Sequence, residues 1–207
     1  VVGAYQLNTA PDVVVAGAGC GAGTWGRNTW GSPASIATVT ATLRHWSHDN
    51  FGEDLIINPR DGGIYYWDRS ASSVGRIQRA VQSSTLAGAS DVPTVAKGVI
   101  VSDRDRHVIA FGCDSEADPG TQDPMLIRFS DRENIANWTS TALNRAGELR
   151  NDAGTESSRG VETRQQVLVF TDISLYAMQY LGPPFTFGIN MISENITVQG
   201  PECAVAV

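Results

Sequence analysis

The sequence predicts an all-β protein, and three observations predict it. Short runs rich in Val, Ile, Phe, Tyr and Trp recur along the chain between clusters of Gly, Asp, Asn, Pro and Ser, the pattern of strands joined by turns. Apolar residues at i, i+3, i+4 and i+7 are scarce, so helical periodicity is weak. The strand-rich runs also repeat: inner strands begin near Leu55, Val108 and Val167, spaced 53 and 59 residues apart. A period of this length with three or four strands per unit suggests β-propeller blades. A blade packs both faces of a small twisted sheet against its neighbours, so its inner strands can be apolar on both sides. That accounts for "LIIN" (55–58) and "VLVF" (167–170), which do not alternate cleanly. A β-sandwich with irregular loops is the other architecture the pattern allows. Rings close with about four to eight blades, so three units predict a partial ring in this chain.

The elements follow in order. Residues 1–37 read as a Gly/Trp-rich arm or inter-strand loop. "GAGCGAGTWGRNTWGSP" (17–33) carries Trp25 and Trp30 in a near-repeat around Arg27, and a glycine-rich stretch of this length builds no core of its own. Trp25, Arg27 and Trp30 are therefore a candidate subunit-interface arm, because two large apolar side chains on such a loop need a dry site, in their own domain or in a neighbour. Residues 38–207 read as part of the propeller domain. Its first unit has a β-prone stretch Thr38 to Trp46, a strand Leu55 to Asn58, a turn Pro59 to Gly63 and a strand Ile64 to Trp67. The best helical candidate is Val74 to Leu86, bracketed by serines and glycines. The second unit has Gly98 to Ser102, "HVIAFGCD" (107–114) and "MLIRFSD" (125–131). The third has Gly160 to Thr163, Val167 to Phe170, a turn Thr171 to Ser174 and a returning strand Leu175 to Tyr180.

Composition sets limits on function. With 207 residues and 42% hydrophobic content, a chain of this size buries roughly 70% of its unfolded surface, enough for one domain or two. It opens on Val1-Val2 and stops inside the apolar run Ala204 to Val207, so it reads as a piece of a longer or processed chain. No secretory leader is visible, and no run reaches the roughly 18 apolar residues of a membrane helix. The net charge is −7, and Lys97 is the only lysine among scattered arginines. A protein that grips nucleic acid shows a basic patch or stripe, which is missing here. This argues against a DNA binder more strongly than against a conduit through which DNA passes. Cys20, Cys113 and Cys203 are widely spaced, with no CxxC pair, and read as reduced, packed thiols.

No sequence pattern points to catalysis, a cofactor or a metal. The G-x-S-x-G, HExxH, P-loop and dinucleotide fingerprints are all missing, and "GAGCGAG" (17–23) has the wrong glycine spacing for the last of these. His45 and His48 in "RHWSHD" (44–49) would point to opposite faces of a strand. "SDRDRHV" (102–108) reads as a solvated turn in which Asp and Arg pair across a hairpin. Ser130, Asp131, Asn134 and Trp138 in "FSDRENIANWTS" (129–140) loosely match the Asp-box turn, S-x-D-x-G-x-T-W, of sialidase-type propellers, although the Asp directly follows the Ser and the Gly is missing. In that family the box is a structural turn. Asn137 and Asn195 head formal glycosylation sequons.

Several longer stretches carry a resemblance: "GAGTWGRNTWGS" (21–32), "WSHDNFGEDLIINPRDGGIYYWD" (46–68), "DRDRHVIAFG" (103–112), "DPMLIRFSDRENIANW" (123–138) and "LVFTDISLYAMQYLGPPFTFG" (168–188) running into "ISENITVQGP" (192–201). On these the chain resembles the tail nozzle or tail-hub proteins of short-tailed phages, the tail tubular protein B-like or packaged-DNA stabilisation proteins. The resemblance implies a β-propeller in a longer chain, located in the virion. It implies a homohexamer docked to adaptor or portal proteins of the phage neck. Genomic DNA would be held back in its channel and then released, without tight binding. It supplies no catalytic residue, no cofactor and no small-molecule substrate. The alternative expectation is an Asp-box-type propeller that binds or hydrolyses host surface glycans.

Overall fold

Twelve strands and a single 3-10 turn account for the regular structure of the described residues. The computed structural model describes residues 45–71, 78–196, 198, 200, 201 and 203–206, nearly all of them in the unit Trp46–Val207. The arm 17–33, with Trp25, Arg27, Trp30 and Cys20, lies outside the described residues, as does nearly all of the β-prone stretch from Thr38.

The strands form three four-stranded antiparallel sheets, each a meander of consecutive strands. The first contains β1 (Trp46–Phe51), β2 (Asp54–Pro59), β3 (Tyr65–Trp67) and β4 (Val81–Gln82). The second contains β5 (Gly98–Val101), β6 (Val108–Phe111), β7 (Leu126–Phe129) and β8 (Gly147–Arg150). The third contains β9 (Ser157–Glu162), β10 (Val167–Thr171), β11 (Ser174–Tyr180) and β12 (Phe187–Glu194). The all-β expectation holds, with three repeated sheets at the three expected places. The best helical candidate, Val74 to Leu86, is not a helix over its described part, 78–86, which holds strand β4 followed by the 3-10 turn Ser83–Thr85. Tyr66 pairs with Val81 in this stretch, so sheet pairing wins over a weak local period.

The second sheet lies between the other two, which explains its composition. Val99, Val101, Val108, Ala110 and Leu126 face the first sheet and pack with Ile56 and Ile64. The alternate residues Ile109, Phe111, Ile127 and Phe129 face the third sheet and pack with Val167, Val169, Tyr176 and Met178. Every residue of β6 and β7 is buried, so "VIAF" and "LIRF" show no polar alternation. The outer sheets each cover one face. On β1, Ser47, Asp49 and Phe51 are half-buried while Trp46, His48 and Asn50 are exposed.

Close approach of the sheets depends on glycine at one point. A Cβ at Gly160 of β9 would stand 2.1 Å from Cζ of Phe111, and that ring is buried between the second and third sheets. At the other interface, Asn58 is fully buried on β2. Its Nδ2 donates to the carbonyls of Gly62 (2.9 Å) and Gly63 (3.1 Å), holding the turn into β3.

Candidate functional site

The first strand of each sheet lies against the first strand of the next: β1 against β5, and β5 against β9. Side chains on these strands bridge the sheets. Ser47 Oγ accepts a hydrogen bond from Val99 N (2.9 Å), and Asp49 Oδ2 accepts one from Val101 N (2.8 Å). Glu162 Oε1, at the end of β9, accepts one from Asp103 N (2.7 Å), in the turn after β5. The polar residues of "WSHDNF" thus bond an unpaired strand edge, which explains why β1 lacks an apolar stripe. Lys97 Nζ adds an ion pair to Glu156 at 2.6 Å, from the segment before β5 to that before β9.

These bridges bring acidic groups together. Burial pushes the Glu162 carboxyl up to about 7, and the negative charges of Asp103 and Asp49 push in the same direction, against the hydrogen bond from Asp103 N. Glu162 borders a groove of about 1210 Å³ between the β9–β10 hairpin and the terminal residues Ala204–Ala206. Val161, Leu168 and Phe170 line it, together with the charged Asp103, Arg104 and Arg164. Among the described residues, no group of three or more His, Cys, Asp or Glu is placed to hold a metal ion. His48 is exposed on β1.

The turn 102–107 differs in part from its expected solvated form. Asp105 pairs with Arg104 (3.8 Å) and, from the next hairpin, with Arg132 (3.4 Å). His107, however, is completely buried. Its Nδ1 lies 2.8 Å from the carbonyl of Ser130, and its ring packs edge-on to Phe187 at 5.3 Å. Burial holds its pKa below the ordinary histidine value. No sequence motif marks either Glu162 or His107, because the half-burial of the first and the full burial of the second come from strands distant in the chain.

The Asp-box-like segment forms the turn region after β7 and serves structure. Asp131 Oδ1 accepts hydrogen bonds from Arg132 N (2.8 Å) and Arg145 N (2.9 Å). Trp138 is buried, with Nε1 donating to the carbonyl of Ile135 at 2.9 Å. Beneath it, the buried Arg128 donates to the carbonyls of Asp114 (3.2 Å), Asp91 (2.7 Å) and Trp138 (3.4 Å). Asp114 in turn accepts from Thr94 Oγ1 (2.5 Å) and Gly120 N (2.7 Å). Arg128, Asp91, Asp114 and Thr94 border a cavity of about 210 Å³ and are occupied in tying loops together. Of the cysteines, Cys113 is buried, its thiol pushed up to about 12 by that burial, as a packed thiol should be. Cys203 is exposed, which corrects the expectation that it is packed.

No protein-family model matches the chain, and no curated protein matches it.

Proposed function

We propose that the chain is a structural component of a short-tailed phage tail, of the nozzle or hub type, whose three sheets are successive blades of a β-propeller in the wall of a DNA channel. The observation that carries the reading is the repetition itself: three meanders in a row, each with its first strand against the next. Stacked sheets with a close-packed interior make a stiff body, which suits a wall under internal pressure. The acidic groups Asp49, Asp103 and Glu162, in a chain of net charge −7, suit a wall that DNA slides past, because each phosphate neutralised by a basic side chain adds affinity. On this reading the protein works in the virion as a homohexamer, contacts adaptor or portal proteins, and needs no catalytic residue or cofactor.

The test is binding of the purified protein to duplex DNA as salt is varied. The proposal expects no retention at physiological ionic strength and no steep rise in affinity at low salt. Tight, strongly salt-dependent binding would contradict it. The glycan alternative has one point in its favour, a carboxyl titrating near 7 beside a groove, since such a group can act as a general acid. Turnover of host polysaccharide that disappears in Glu162→Gln would establish that alternative instead.

A further inference from the structure

The cavity of about 210 Å³ lies between the segment before β5 and the β6–β7 loop. Its walls, 84–94, 114–119 and Arg128, belong to the middle of the chain. Arg128 and Asp114, 2% and 1% exposed, both border it. Asp114 is spent on Thr94 and Gly120. The hydrogen bonds of Arg128 all go to carbonyl oxygens, so no carboxylate among the described residues is bonded to this buried guanidinium. Three other groups on the wall keep hydrogen-bonding capacity. Asp91 accepts from Thr139 through Oδ2, and Glu116 accepts from Ser140 N through Oε2 (3.0 Å). Their second oxygens, Asp91 Oδ1 and Glu116 Oε1, meet no donor among the described residues. The Ser84 hydroxyl has no hydrogen-bond partner among them either. Ala89, Val92 and Pro119 give the cavity an apolar side.

We infer that this cavity is a binding site for a neutral, polyhydroxylated molecule of the size of one hexose ring. Charge selects the class. An anion would be repelled by Asp91, Asp114 and Glu116, and a cation by the Arg128 guanidinium. No group of three or more metal-ligating side chains is assembled among the described residues. A hydroxyl satisfies both sides at once, because it donates to a carboxylate oxygen and accepts from a guanidinium N–H or a serine. Hydrogen bonds to charged partners are also the stronger kind. Size selects the number of rings. Water fills about 30 Å³ per molecule in the liquid, so this cavity has the room of about seven waters, enough for one sugar ring and too little for two. The apolar side suits the C–H face of such a ring, and a few convergent polar groups on an apolar wall are the usual form of a ligand site. This inference goes beyond the structural role proposed above and does not rest on it. The cavity also shares no lining residue with the groove beside Glu162.

The experiment is saturation-transfer difference NMR on the full chain, with glucose, galactose and mannose as the probes and circular dichroism to confirm folding of each variant. This measurement observes the sugar, so it works whatever the size of the assembly. At least one hexose is expected to give a saturable signal with a Kd in the millimolar range, the level a ligand of so few atoms reaches. Glu116→Gln can still accept from Ser140 N but turns a donor toward the hydroxyls, and it is expected to weaken binding at least tenfold. Ser84 is exposed, so Ser84→Phe leaves the core alone and fills the cavity with its ring; it is expected to abolish the signal even if Glu116→Gln does not fold. Glu162→Gln, on the separate groove, is expected to bind as wild type does. The absence of a saturable signal from all three hexoses overturns the inference. Equal binding by wild type, Glu116→Gln and Ser84→Phe overturns the site, as does a signal lost in Glu162→Gln. A melting temperature raised by sodium phosphate or calcium chloride, and no longer raised in Ser84→Phe, would show a charged occupant and overturn the neutral class.

Discussion

Gly160 shows how far one missing carbon can matter. Its position on β9 is ordinary strand, yet the Phe111 ring occupies the space a methyl group would need. Overpacking of this kind costs about 1–3 kcal/mol, and in a domain of this size about 1 kcal/mol moves the melting temperature by roughly 2–4 °C. Gly160→Ala should therefore melt several degrees below wild type in a thermal scan, and Phe111→Leu should recover part of that loss when combined with it. Glu162 makes a different prediction. Its folded pKa of about 7 lies above the ordinary carboxyl value of 4.5, so folding takes up a proton between those values. Its favourable contribution is complete below about pH 4.5 and is lost as pH rises through 7. Glu162→Gln keeps an acceptor for Asp103 N and should match wild type near pH 5 but exceed it in urea midpoint at pH 8. A midpoint difference independent of pH would contradict the burial of this carboxyl. His107 runs the other way: its lowered pKa favours the neutral ring, so its contribution is lost as pH falls below about 6.5.

At the scale of the element, the turn region 130–138 is expected to act as a rivet for the second sheet. Trp138→Ala should cost about 3–5 kcal/mol in a urea titration, the range for deleting a buried large aromatic. Asp131→Ala, which removes acceptors from two backbone amides, should cost about 1–3 kcal/mol. The strands best read from the sequence were those buried on both faces or apolar throughout, such as "VIAF" and "VLVF", whose β-branched and aromatic residues need no partner to declare themselves. The hairpin 167–180 was read almost to the residue, with its turn narrowing to Asp172 and Ile173 between β10 and β11. Strand β1 is not legible in the sequence because its half-buried residues include Ser47 and Asp49, polar groups that make sense only beside the β5 backbone. Strand β12 is equally illegible, because "FGINMISE" mixes glycine and asparagine with mostly exposed or half-exposed positions. The Glu162 site was not legible at all: its burial and its neighbours Asp103 and Asp49 come from three separate sheets.

For the whole molecule, the repeated sheets are proposed to be sectors of a wheel that stiffens a tube. The arrangement of first strand against first strand supports this, and the apolar outer faces of the end sheets agree with further layers on either side. The acidic character of the junction then bears on DNA passage, and the Gly/Trp arm with Trp25, Arg27 and Trp30 is expected to be buried in the assembly. The most direct measurement is cryo-electron microscopy of the assembled protein. The expected result is sheets arranged radially, with β1, β5 and β9 nearest a common axis, in a closed oligomer around a channel wide enough for duplex DNA. A flat two-layer sandwich, or a lone chain whose groove holds a bound glycan beside Glu162, would contradict it.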